Sequence, residues 1–293
     1  MHASSIAAHD KGCLWSPVFW TAGDSEPLPP DLTLVSSDYV LFHVHKHRLL
    51  LFSKNDFAGL LSSHADGSDN MSQPNQVMLV EVDEDSAVLA VVLSVVYDIP
   101  LGSLAPLEVV SPAIKSLEKY DISLQELAVP HRFLGEQLLS HALMRPMDVY
   151  VLAAEHQLEA IAAHTSSYLL AYPLARLSTE FAVRMGAQYL RRLYILQHAR
   201  MTQLKFMLYG PLESHLATSQ CGSEERKRIQ RAWTVAVADL AWTAKGDMAP
   251  HTLQRAMLSI ELDDAVTCTE CKEAIRSRIN AITKTWAIRE NTI

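Results

Sequence analysis

Residues 39–50 read YVLFHVHKHRLL, and the structure this stretch adopts decides the fold. It begins as a β-branched and aromatic run and turns basic, with His43, His45 and His47 at every second position. If one strand ran through all twelve residues, the three imidazoles would share a face and could ligate a metal. If the strand ends near His45, Leu49, Leu50 and Phe52 fall at helical spacing and the imidazoles splay apart. No cysteine or paired aspartate stands beside them, so the second reading holds: a strand running into a helix at a histidine-rich corner.

Upstream, DLTLV at 31–35 and the turn formers SSD at 36–38 complete a hairpin with YVLFHV. Its apolar–polar alternation is weak, which predicts a sheet covered on both faces. Before it, residues 1–30 end in GDSEPLPP and read as an extended or disordered arm. Downstream, Phe57, Leu60 and Leu61 continue the helical spacing past Ser53 and Asn55, predicting two short helices. QVMLVEV at 76–82 is a third strand, and Asp85 or Ser86 caps an apolar helix through Val96. The next helix covers 107–122, with Pro112 tolerated only in a first turn.

From there no strand is predicted. Stripes at Tyr150, Val151, Ala154, Leu158 and Ile161, at Phe181, Met185, Tyr189, Leu193 and Leu196, at Ile229, Ala232, Trp233, Ala236 and Leu240, and at Ile275, Ile279, Ile282 and Trp286 mark helices. Ser223 is expected to cap the third of these. The predicted class is therefore α+β: a three-stranded sheet flanked by short helices over 31–125, then an all-α region over 126–293.

With 49% apolar residues the 293-residue chain can fill a core without a metal or disulfide. Its 25 basic and 33 acidic side chains give a net charge of -8, which argues against nucleic acid as a partner. Apolar runs such as 87–96 are too short to span a bilayer. Cysteines only at 13, 221, 268 and 271 fit a reducing compartment, so the expected location is intracellular, cytoplasmic or nuclear. No G-x-S-x-G, P-loop, G-x-G-x-x-G or H-E-x-x-H occurs, so neither an enzyme, a cofactor nor a small-molecule substrate is expected. The acids Glu81, Asp83, Glu84 and Asp85 read as a solvated helix start.

The sequence of two strands, V-H-K, helix, S-x-x-x-F, third strand and long helix resembles the BTB/POZ domain, in the large fungal group of such proteins. The residues that carry the likeness are 31–57, VEVDEDSAVLAVVLSVVYDIP at 80–100, LEKYDI at 117–122 and MDVYVLAAEHQLEAIA at 147–162. The resemblance implies a protein-interaction platform that associates with itself or with another protein, including a cullin-type scaffold as a ubiquitin-ligase adaptor. It also implies a charged pocket near the dimer contact, matched here by Asp31 and Lys46. Leu49, Leu50, Phe52 and Phe57 are the apolar residues to examine as an interaction surface. YDIPLGSL stands where the family has a turn and a further short strand, so no strand is expected there.

The remaining chemistry lies in CTEC at 268–271. Two cysteines one turn apart at a helix start can chelate zinc or form a redox pair, but one C-x-x-C is half a zinc pattern. Cys221 is the next thiol, with His215 and His251 as further donors. The reading adopted is no metal, with Cys271 a small buried residue on the stripe of Ile275 and Ile279 and zinc at Cys221, Cys268 and Cys271 as the alternative. The basic runs at 191–200 and 224–231 read as solvated helix faces.

Overall fold

The computed structural model describes residues 14–16, 28–62, 77–213, 215–216, 221–258, 266–289 and 291–293. The chain is mixed α/β and forms two compact units, one comprising Met1–Arg145 with His156–Ile161, the other Pro146–Glu155 with Ala162–Ile293. The first unit thus reaches residue 145, with a further stretch from His156 to Ile161.

In the first unit, β1 (Leu14–Trp15), β2 (Leu32–Val35), β3 (Val40–Val44) and β4 (Met78–Glu81) form a sheet of order β1-β3-β2-β4. The three predicted strands are present, and the fourth comes from the arm before residue 31, where Leu14 and Trp15 pair in parallel with Val40 and Leu41. β2 and β3 are the expected hairpin, with β4 parallel to β2. Every residue of β2 is buried, as its weak alternation predicts. Polar side chains build the hairpin turn: Val40 N–H donates to Ser36 Oγ at 2.9 Å, and Ser36 Oγ donates to Asp38 at 2.6 Å. Asp38 in turn accepts from the backbone and hydroxyl of Ser86, tying the turn to α2 (Ser86–Tyr97). The predicted cap holds too: Asp85 accepts from Val88 N–H at 2.8 Å.

Strand β3 stops at Val44, and α1 spans Lys46–Phe52. The second predicted short helix does not form. Asp56, Phe57 and Ala58 instead take positive φ of 53°, 56° and 57° and are followed by Gly59 at 77°, a left-handed turn. Such residues cost about 1–2 kcal/mol each, so specific bonds must hold them. Ser53 Oγ accepts Phe57 N–H at 2.7 Å and donates to the Tyr120 carbonyl at 2.7 Å. Asn55 accepts from Ala58 N–H and donates to the Lys119 carbonyl. The Phe57 ring lies flat on Tyr120, with centroids 3.6 Å apart. The S-x-x-x-F spacing is thus a turn that drives a phenylalanine into the core.

After α2 come α3 (Leu107–Lys119), α4 (Leu124–Leu127) and α5 (Phe133–Ala142). Pro112 lies in the second turn of α3, deeper than expected. No strand replaces the YDIPLGSL segment, as expected. Glu84 is not a solvated acid: its side chain is 5% exposed, accepts a hydrogen bond from Tyr120 Oη and pairs with Lys119 Nζ at 3.0 Å. Burial pushes its carboxyl up, but the bonds from Tyr120 and Lys119 outweigh this and leave its pKa below the usual value.

Among its described residues the second unit has helices and no strand. α6 (Pro146–Glu155) and α7 (Glu159–Ser166), whose first three residues are counted with the first unit, are two helices where one was predicted, separated by Gln157 at φ 55°. α8 (Thr179–Tyr209) is interrupted at Gly186 (φ 70°, ψ 166°), a conformation only glycine adopts readily. Arg184 joins Glu155 through two nitrogens, at 2.8 and 3.0 Å, and Tyr150 donates to the Tyr189 carbonyl. α9 (Ser223–Thr243), α10 (Pro250–Leu258) and α11 (Thr269–Ala287) complete the unit. Gly222, not Ser223, occupies the cap position of α9. The predicted apolar stripes face its core, where Trp233, Ile275, Ile279 and Trp286 are at most 1% exposed. Arg200 is buried with them rather than solvated, its guanidinium 3.9 Å above the Trp286 ring and bonded to the Gly246 carbonyl.

Candidate functional site

The histidine corner gives His43 different neighbours from His45 and His47, whose rings meet edge-on with centroids 5.5 Å apart. His43 Nδ1 meets Thr33 Oγ1 at 2.9 Å, and its ring stacks on Trp15. His45 is buried; its Nε2 donates to the Leu28 carbonyl at 2.8 Å, which leaves Nδ1 to accept from Tyr97 Oη at 3.0 Å. His47 is exposed. The strand does end at Val44, as the strand-to-helix reading expects, but His45 and His47 stay in contact rather than splaying.

Asp31 and Lys46 meet through the main chain: the Lys46 N–H donates to Asp31 Oδ1 at 2.7 Å. His45, at the cap position of α1, makes no side-chain cap, so the carboxylate from the start of β2 caps the helix instead. Of the four apolar candidates, Leu49 and Phe57 are fully buried and belong to the core. Leu50 is exposed and Phe52 half-buried, while Leu51 is 70% exposed. The sheet edges are a surface the sequence reading missed. Leu14 on β1 and Val77 and Leu79 at β4 stand in solvent, Leu79 at 59%, and Trp15, though stacked on His43, keeps part of its ring exposed. Apolar residues on an edge strand were the available signal, but it needs the strand order, which no local pattern contains.

In the second unit, His215, Cys221, Cys268 and Cys271 converge, with one donor atom of each within 4.8 Å of every other. His215 lies in the segment after α8, Cys221 just before α9, Cys268 at the cap of α11 and Cys271 in its first turn. The three thiols are buried and not disulfide-bonded. His215 Nε2 is 3.1 Å from Cys271 Sγ and 3.4 Å from Cys268 Sγ, and the Cys221 and Cys271 sulfurs are 3.7 Å apart. His215 Nδ1 faces the Leu216 carbonyl at 2.6 Å and Glu270 at 3.0 Å.

The backbone amide of Cys271 draws the Cys268 thiol pKa down, although the sulfur makes no capping hydrogen bond. Burial raises Cys221 and pushes Cys271 up to about 12. The Leu216 carbonyl, with Glu270 adding to it, raises His215.

Cys271 does share the apolar stripe with Ile275 and Ile279, as expected, but it also faces three other donors. The fourth is His215; His251 is not among them. The signal available in the sequence was pairing, since His215 and Cys221, with five residues between them, answer Cys268 and Cys271. Among the described residues no helix is long and apolar enough to cross a membrane. No family model, curated protein or solved structure matches this chain.

Proposed function

We propose that the chain is a non-enzymatic protein-interaction module of BTB/POZ type, associating with itself or with another protein and serving as a ubiquitin-ligase adaptor where that protein is a cullin-type scaffold. The observation that carries the reading is the pair of sheet edges with apolar side chains at least partly exposed, Leu14 and Trp15 on one and Val77 and Leu79 on the other. An exposed edge with unpaired backbone groups is a template for an added strand, and apolar residues beside it supply the area such a contact buries. The strand-to-helix corner at His45 and the S-x-x-x-F turn support the same assignment.

Sedimentation of the purified full chain, with pull-down of a purified cullin-type scaffold, tests it. Self-association or scaffold binding is expected, weakened at least tenfold by Leu79→Lys, which sets a charge on the edge without touching the core. A chain that stays monomeric and binds no scaffold, or one that turns over a substrate steadily, overturns the proposal. The four-donor cluster favours a second element, a metal-bearing scaffold in the C-terminal unit.

A further inference from the structure

We propose that His215, Cys221, Cys268 and Cys271 bind one zinc ion in a closed structural site that clamps the starts of α9 and α11 to the segment after α8. On a tetrahedron with Zn–S of about 2.3 Å and Zn–N of about 2.1 Å, neighbouring donors lie roughly 3.6–3.8 Å apart. The Cys221–Cys271 separation of 3.7 Å meets that spacing, the His215–sulfur separations of 3.1 and 3.4 Å fall a few tenths of an ångström short of it, and no pair exceeds 4.8 Å. Shifts of a few tenths of an ångström to about 1 Å close the shell. Three thiolates and an imidazole are the donor set zinc favours, and four protein ligands leave no position for water, so the ion holds structure rather than activating a nucleophile.

The surroundings prepare each donor. With its proton on Nδ1, directed at the Leu216 carbonyl and the Glu270 carboxylate, His215 presents an unprotonated Nε2 to the sulfurs, the second-shell arrangement that orients a zinc-binding histidine. Zinc with three thiolates carries one net negative charge. The Arg226 guanidinium, bonded to the His215 carbonyl at 2.9 Å, and the N-termini of α9 and α11 offset it. Binding releases three thiol protons to solvent, so affinity falls on acidification. A disulfide is a poorer account: the Cys221–Cys271 separation of 3.7 Å is well beyond a bond of about 2.05 Å, and any single pair would strand a third thiol beside the imidazole.

The test uses the full chain, independently of its association state. Elemental analysis should find one zinc per chain, and cobalt(II) exchange should give the visible absorption of a tetrahedral thiolate-bound ion. Chelation should lower the melting midpoint by about 10 °C. His215→Ala should weaken zinc binding at least tenfold, whereas His215→Cys should retain one ion in a four-thiolate shell, a rescue that a packing role would not produce. Cys268→Ser should lose the ion, and if that variant does not fold, the cobalt spectrum and the His215 pair still decide. Reduced protein that takes up neither zinc nor cobalt at one per chain, or His215→Ala with unchanged metal content, overturns the proposal.

Discussion

The two units turn their chains by different means. In the first, short polar side chains stand in for regular structure: Ser36 and Asp38 make a hairpin turn, Asp31 caps a helix fifteen residues away, and Ser53 and Asn55 hold three left-handed residues. In the second, long helices carry apolar stripes, and a few polar side chains fasten them, Gln197 and Arg200 from within α8, Arg278 from within α11, and the Cys/His cluster at the starts of α9 and α11. A small sheet gets its shape from individually placed hydrogen bonds; a helical unit gets it mainly from burial, with few polar fasteners between its helices.

That contrast can be broken, and the largest effect belongs to the helical core. Trp286→Ala removes a fully buried indole, its bond to the Met248 carbonyl and the ring beneath Arg200. It should cost about 3–5 kcal/mol. Calorimetry should show the transition of the C-terminal unit falling while that of the other unit stays, and equal loss in both would dissolve the distinction. Ser53→Ala should come next at about 2–3 kcal/mol in urea titrations, because two buried hydrogen bonds and the support of a left-handed turn go together.

Tyr120→Phe should cost about 2 kcal/mol by removing the donor to buried Glu84. It also has a pH signature. The Glu84 pKa in the folded state lies below its ordinary 4.5, so its contribution is present above pH 4.5 and is lost as pH falls through the folded value. Denaturation followed from pH 7 downward should show that acid loss, and Tyr120→Phe should flatten it. Gly186→Ala, at φ 70°, should cost about 1 kcal/mol. Lys227→Ala, which breaks a surface pair with Glu224, should stay within about 0.5 kcal/mol.

Legibility in the sequence followed the same division. Burial-driven features were readable: the three strands, the Asp85 cap and the stripes at Ile229–Leu240 and Ile275–Trp286 appear where the periodicity puts them. Features made by a single bond to a distant residue were not. Phe57 continues a helical spacing, yet Ser53 and Tyr120 pull it into a left-handed turn, and only the 67-residue separation of those partners explains why local pattern failed. β1 was missed because two residues with no alternation carry no period. Arg200 was assigned to water because a basic run does not disclose that one member faces Trp286. The Cys/His cluster was largely visible: C-x-x-C, Cys221 and His215 all stood among the possible donors, but His215 is told from His251 only when the segment after α8 returns to the start of α11.

The placement of the indoles has a consequence of its own. Trp233 and Trp286 are sealed in the C-terminal unit, while Trp242 of the same unit is 90% exposed and Trp15 stands on the edge of the sheet. Among the described indoles, the buried pair in the helical core gives a blue emission component and the exposed pair a red one. Loss of the blue component alone would signal that the C-terminal unit had opened, a readout the molecule supplies without a label.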